Sequence, residues 1–203
     1  VLEPFSVGTA TFYLKDGREL QTLSAFELIR TGQPLGSDLI RFGAASLLAE
    51  LVVRTASEEA DPSLFEQVLA GLDRIELASP EALEASALAE AWPLAGTLGF
   101  EPILDYCVGC ERALLDEEDA VFDYIAGGVR CRDCTGVSPG KALPGHARRT
   151  LAGLAAGQTP EIERAAAHWA LLSRFLAYHV IDGRPLRSLS FLAETLQREP
   201  CAG

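Results

Sequence analysis

Four of the five cysteines fall in two pairs, Cys107-Val108-Gly109-Cys110 and Cys131-Arg132-Asp133-Cys134, separated by residues 111–130. Each pair is C-x-x-C, and two such pairs at this separation have the spacing of a four-thiolate zinc site. A C-x-x-C turn presents two sulfurs on one side of a tight loop. Two turns joined by a hairpin can close a tetrahedron around one ion. Two disulfides, or four unrelated buried thiols, are the alternatives, and the paired spacing favours zinc. Four thiolates would fill the coordination sphere and leave no position for a reacting water, so the site reads as structural.

Other chemistry is sparse. Gly136-Val137-Ser138-Pro139-Gly140-Lys141-Ala142 approaches a phosphate-binding loop but is one residue short. Alanine also stands where a magnesium-holding hydroxyl is needed. The H-x-E element of zinc deaminases, H-E-x-x-H and G-x-S-x-G are all missing from the sequence. His146 lies near the cysteine module, whereas His168 and His179 fall in a helical stretch. His179, on that stretch's apolar face, reads as a satisfied core histidine. No acid–base pair or activated nucleophile stands out, so the chain is expected not to be an enzyme.

The elements that must position the cysteines are mostly helical. Between the pairs, Ala120–Ile125 is strand-like, 126–128 turn, and Val129-Arg130 lead into the second pair. Gly109 and Gly128 are expected to supply positive φ. Upstream, Ser37 or Asp38 caps a helix to about Thr55 with a stripe at Leu39, Ile40, Leu47, Leu48 and Leu51. Asp61-Pro62 and Ser79-Pro80 open two more helices, and Pro93 is expected to kink or end the second of these. Downstream, residues 136–145 read as loop, Ser138-Pro139-Gly140 as a turn, and 144–156 as a helix. Thr159-Pro160 starts the longest helix, carrying Trp169, Leu172, Phe175, Leu176 and His179. Asp182-Gly183-Arg184-Pro185 ends it, and Ser188 caps a last helix with Leu189, Leu192 and Leu196. At the other end, 5–14 and 19–26 read as two strands around an Asp16-Gly17 turn.

The expected fold is mainly α: a helical bundle with an inserted four-Cys zinc ribbon and a β piece at the N-terminus. Its parts are residues 1–32 (strands), 33–104 (first helical part), 105–135 (zinc ribbon) and 136–203 (second helical part). The chain has 203 residues, 48% of them hydrophobic, which allows one real core plus a smaller module. It contains no methionine, and Val1–Phe5 reads as the inside of a folded unit, so the numbering is expected to begin partway through a longer protein. No apolar run is long enough to span a membrane and no signal peptide is visible. Thiols arranged as metal ligands fit a reducing cytosol, with Cys201 a spare tail thiol. The net charge of −12 argues against a protein that coats DNA uniformly. Acidic residues crowd 56–119 against Arg74 and Arg112. Arg130, Arg132, Lys141, Arg148 and Arg149 then gather around the second cysteine pair against Asp133 alone, a candidate local basic patch.

The order of parts resembles a known family. A hairpin around Asp16-Gly17-Arg18-Glu19-Leu20 precedes an alanine- and leucine-rich helical part. Then come Asp105-Tyr106-Cys107-Val108-Gly109-Cys110 and Gly127-Gly128-Val129-Arg130-Cys131-Arg132-Asp133-Cys134, and an ending with Phe175-Leu176-Ala177-Tyr178-His179 and Phe191. Together these are similar to the bacterial RecO family of recombination and DNA-repair proteins over nearly the whole chain. Some members of that family lack some of the cysteines. The resemblance implies a non-enzymatic recombination mediator, located in the cytoplasm at the nucleoid. Such a mediator binds single- and double-stranded DNA and anneals complementary strands. With RecR it assists RecA loading on DNA coated by single-strand-binding protein, and it needs neither a small-molecule substrate nor a membrane. It also implies that residues 1–32 are the final strands of an oligonucleotide-binding (OB-fold) barrel. DNA contact would use Arg130, Arg132, Lys141, Arg148 and Arg149. The alternative is a zinc-containing protein-interaction adaptor without direct DNA binding.

Overall fold

The structure, a computed structural model, describes residues 3–55, 57, 59–136, 140–180 and 185–198. Ser138, Pro139, Asp182, Gly183, Arg184 and Cys201, to which the sequence assigned a turn, a helix stop and a tail thiol, lie outside them. Two strands come first, β1 (Val7–Tyr13) and β2 (Thr22–Arg30), paired antiparallel in a sheet of their own. The second strand starts later than its residue types predict. The Gln21 side chain accepts from the Lys15 amide and donates to the carbonyls of Lys15 and Arg18, holding 15–21 as a closed loop.

Helices α1 (Leu39–Thr55), α2 (Pro62–Leu77) and α3 (Leu83–Thr97) follow. Asp38 accepts from the Arg41 amide to start α1, and Asp61 accepts from the amides of Ser63 and Leu64 to start α2, as the sequence indicates. The remaining helices are α4 (Gly145–Ala155), α5 (Ala165–His179) and α6 (Arg187–Arg198). Among the described residues there are thus six helices, none long and apolar enough to cross a membrane.

Helix α3 is the hub. It packs on α1, α2, α4 and α5, and Trp92, Leu88 and Ala91 are completely buried. It runs through Pro93 rather than ending there. Burial along most of its length outweighs the one lost backbone hydrogen bond. Helix α6 lies against α1, where a Cβ on Gly43 would come within 2.6 Å of Leu192. Residues 159–164 do not join α5. Pro160 lies against Gly153 and Ile162 packs on the core, so tertiary contact prevails over the Thr-Pro start signal.

Several helix ends are held from afar by charged side chains. Arg41 donates to the carbonyls of Ile75, Glu76 and Ala78, covering the end of α2. Asp119 accepts from the Gly145 amide at the start of α4. Ser188 does not cap α6 as its residue type predicts. Its amide (2.9 Å) and hydroxyl (2.7 Å) and the Arg187 amide (3.1 Å) instead donate to the Glu50 carboxylate on α1. Burial opposes ionisation of Glu50, but these donors outweigh it and hold the carboxyl below its ordinary value.

Glu50→Ala should therefore destabilise the bundle by about 1–2 kcal/mol in urea unfolding, the cost of losing a helix cap. Because the folded-state value is depressed, the wild-type contribution is present above the ordinary glutamate range and lost as pH falls through the folded value. The gap between variant and wild type should narrow on acidification. A gap that is unchanged between neutral and acid pH would show that the carboxylate charge is not what holds α6.

Candidate metal centre

The cysteine module stands between α3 and α4. Its sheet has the order β4-β3-β5, built from β3 (Ala120–Asp123), β4 (Gly128–Arg130) and β5 (Gly140–Leu143), all antiparallel. The last strand corrects the reading of 136–145 as loop: residues 140–143 pair with the otherwise open edge of β3. The first cysteine pair sits on a turn closed by the Tyr106–Ala113 bridge, with the Cys107 amide donating to the Arg112 carbonyl at 2.8 Å. The second pair enters a single 3-10 turn, Arg132–Cys134. The Val108 amide bonds the Val129 carbonyl at 2.9 Å, which sets the first turn against β4 beside the second.

Positive φ is found not at Gly109 or Gly128 but at Gly127 (70°) and Glu111 (61°). The two expected glycines serve close approach instead. A Cβ on Gly109 would meet the Arg130 guanidinium at 2.8 Å, and one on Gly128 would meet Ile103 at 2.7 Å.

All four sulfurs lie within 4.8 Å of one another, and Cys110 Sγ and Cys131 Sγ are 3.8 Å apart. A tetrahedral zinc with Zn–S of ~2.3 Å requires S···S separations of ~3.8 Å. A disulfide requires ~2.05 Å. The four thiols are free, so the cluster fits a metal ion and not paired cystines. Cys107 and Cys131 are buried, whereas Cys110 is exposed. Burial resists ionisation of Cys107, but amide donors from Cys131, Gly109 and Cys110 overcome it and bring the thiol down to about 6. Hydrogen bonding to Cys131, Cys110 and Cys107 pushes Cys134 up to about 12, because four close sulfurs resist full ionisation without a cation.

Two arginines flank the sulfurs. Arg130 Nε donates to the buried Asp123 carboxylate at 2.7 Å, and Asp123 also accepts from the amides of Ile125 and Ala126. Asp123 chiefly raises the arginine's pKa, and the sulfurs of Cys107 and Cys134 add to it. Arg112 forms a two-pronged pair with Glu118, which chiefly raises its pKa, with the Cys131 sulfur adding to the shift. A tetrathiolate zinc carries two excess negative charges, and these two cations stand where they offset them.

This arrangement redistributes the basic patch. Arg148 is not on the surface: it is 4% exposed, and its guanidinium donates to the carbonyls of Leu104, Leu115 and Asp116. It clamps both flanks of the first cysteine turn to α4, so its charge is unavailable to a ligand. Arg130 is committed to Asp123, and Arg149 pairs with Glu117. Arg132 and Lys141 are exposed, and among the described residues neither makes an ion pair. His146 is exposed and not part of the sulfur cluster. His179 Nε2 is 2.8 Å from the Tyr124 carbonyl and lies under Gly127, fixing the hairpin turn to α5. The roles of Asp123 and Arg112 were missed in the sequence. A carboxylate diagonal to Arg130 in the hairpin register was the available signal for the first.

Elemental analysis should find one zinc per chain, and Cys131→Ala should lose it while the far-ultraviolet helical signal persists, since α1–α3 do not depend on the metal. Zinc release should become easier as pH falls, because each ligand must be deprotonated. Full zinc content in Cys131→Ala would rule out the four-thiolate site. Separately, Arg148→Met should cost about 2–3 kcal/mol of stability by orphaning buried carbonyls. An Arg148→Met protein as stable as wild type in urea would remove the clamp.

Comparison with known proteins places this geometry. Residues 36–190 match the family described as Recombination protein O C terminal, a span that includes α1 to α5 and the cysteine module. A protein named DNA repair protein RecO from Anaeromyxobacter sp. (strain K) is 32% identical over 209 residues, covering 95% of this chain and 78% of that protein. The protein of the same name from Nocardioides sp. (strain ATCC BAA-499 / JS614) is 28% identical, over 94% of this chain and 79% of its own length. One from Roseiflexus sp. (strain RS-1) is 35% identical over 60% of this chain, which spans 42% of that relative. The chain belongs to the recombination protein O family of DNA repair proteins.

Proposed function

We propose that this protein is a non-enzymatic recombination mediator. It binds single- and double-stranded DNA, anneals complementary strands, and acts with RecR to assist RecA loading on DNA covered by single-strand-binding protein. The observation that carries this reading is the family match across 36–190. The site chemistry agrees with it. A closed sulfur cluster has no position for a substrate, and the basic groups near it neutralise or clamp rather than form an acid–base pair. The work is therefore assigned to surfaces, in the bacterial cytoplasm, with zinc as a structural ion.

The β1–β2 hairpin supports an OB-fold origin for residues 1–32. It forms a sheet by itself, and Tyr13, Leu28 and Ile29 are more than half exposed. A two-stranded ribbon with such residues in water is marginal, so these strands belong in a larger barrel. For the cysteine module, Arg132 and Lys141 are the cations available for phosphate contact. The second reading, a protein-interaction adaptor without direct DNA contact, rests on the acid excess of 56–119. That excess surrounds Arg74, itself committed to the buried Glu90.

Titrating the full chain with labelled single-stranded and duplex oligonucleotides at several salt concentrations separates the two. The mediator reading expects binding that weakens steeply with salt, and an Arg132→Glu/Lys141→Glu variant with a few-fold to tenfold lower affinity and a slope reduced by about 1–2. Binding to RecR with no measurable DNA affinity would favour the adaptor.

A further inference from the structure

Tyr178 is 58% exposed, yet its ring is held in place. It stacks on Tyr124, with centroids 6.2 Å apart and planes inclined by 13°. Tyr124 itself is buried and packs on Phe122, which packs on Phe175 of α5. One face of Tyr178 is thus backed by a chain of rings running into the core, and the other is left to water. Beside it, the Arg174 guanidinium lies 5.6 Å from the centre of the Tyr124 ring. Arg174 is exposed, and among the described residues it makes no ion pair. Lys141, paired with Phe122 across the sheet, is exposed as well, and among the described residues it makes no ion pair. On a chain of net charge −12, free cations beside an open aromatic face are unusual.

We propose that Tyr178, backed by Tyr124 with Arg174 beside that ring, is a stacking platform for an unpaired nucleobase of a single strand, with Arg174 taking an adjacent phosphate. This rests on the DNA-binding reading and adds to it a preference for unpaired over paired strands at this site. A duplex offers phosphates but no free base face, whereas a single strand offers both. The platform couples to the metal module through Tyr124, which follows Asp123 in the chain, and Asp123 holds Arg130 beside the sulfurs.

The test uses the full chain with a labelled oligothymidine and a duplex of equal length, followed by anisotropy. Tyr178→Ala should weaken single-strand binding about tenfold and duplex binding much less, while Tyr178→Phe, which keeps the ring, should match wild type. Arg174→Gln should lower the single-strand salt slope by about 0.7. An oligonucleotide carrying 5-iodouracil should cross-link to the peptide containing Tyr178. If wild type binds and Tyr178→Ala binds equally well, or loses single strand and duplex alike, the platform is overturned and the mediator reading stands. If wild type binds neither probe, the DNA-binding reading fails and takes the platform with it. Tyr178→Phe failing like Tyr178→Ala despite an unchanged zinc content and circular dichroism would also overturn stacking.

Discussion

Four sulfurs within 4.8 Å of one another are an electrostatic problem before they are a binding site. Hydrogen bonding from the other three sulfurs pushes the Cys134 thiol up, and as thiolates the four repel. A divalent cation resolves the repulsion but leaves two negative charges in a partly buried place. Much of the module answers that excess. Arg130 and Arg112 stand beside the sulfurs, each fixed by its own carboxylate, Asp123 and Glu118, so that the positive charge is held in one position. Gly109 carries no side chain because the Arg130 guanidinium occupies that space. The basic character of this stretch is thus largely consumed internally.

The same use of charge recurs across the helices. Glu50, Arg41, Asp119 and Arg148 each satisfy backbone groups of a segment distant in sequence. Helix ends carry unpaired amides and carbonyls that need partners. Glu50 and Arg41 meet that need from a neighbouring helix and Asp119 from the cysteine module, whereas Arg148 spends its hydrogen bonds on carbonyls of the module itself, and each ties two elements together. Arg148 shows the cost of this economy: its Nε has no partner, although Nη1 and Nη2 take three carbonyls.

What was legible in the sequence was whatever is encoded locally. The Asp38 and Asp61 caps, the buried Leu47, Leu48 and Leu51 of α1, the hairpin between the cysteine pairs and the pairing of the cysteines all depend on neighbours in the chain, whereas Leu39, read into the same stripe, is exposed at the helix start. What was not legible depends on partners far away. Lys141, Ala142 and Leu143 become a strand because β3 has an open edge. Residues 159–164 stay out of α5 because Pro160 and Ile162 meet α4 and the core. Arg148 looked like a surface cation because a cluster of basic letters carries no information about burial. Positive φ moved from Gly128 to Gly127 because the turn's register is set by pairing of β3 with β4 and by the close approach of Ile103.

These long-range ties also decide which cations remain for a partner. Arg130, Arg148 and Arg149 are committed to Asp123, buried carbonyls and Glu117, whereas among the described residues Arg132, Lys141 and Arg174 make no ion pair. The uncommitted groups share a structural origin. Arg132 leaves the 3-10 turn that follows β4, Lys141 lies on β5, and Arg174 lies on the helix against which Phe122 and Tyr124 of the hairpin pack. The sheet links them, and the sulfur cluster fixes the β4 end of that sheet. A metal held by the four sulfurs would need no reaction of its own to influence binding, because it would hold the hairpin against which the exposed Arg174 and the Tyr178 ring are set. Loss of the metal would leave those residues present but unregistered, and a ligand that needs several of them at once would feel the loss more than one that needs a single charge.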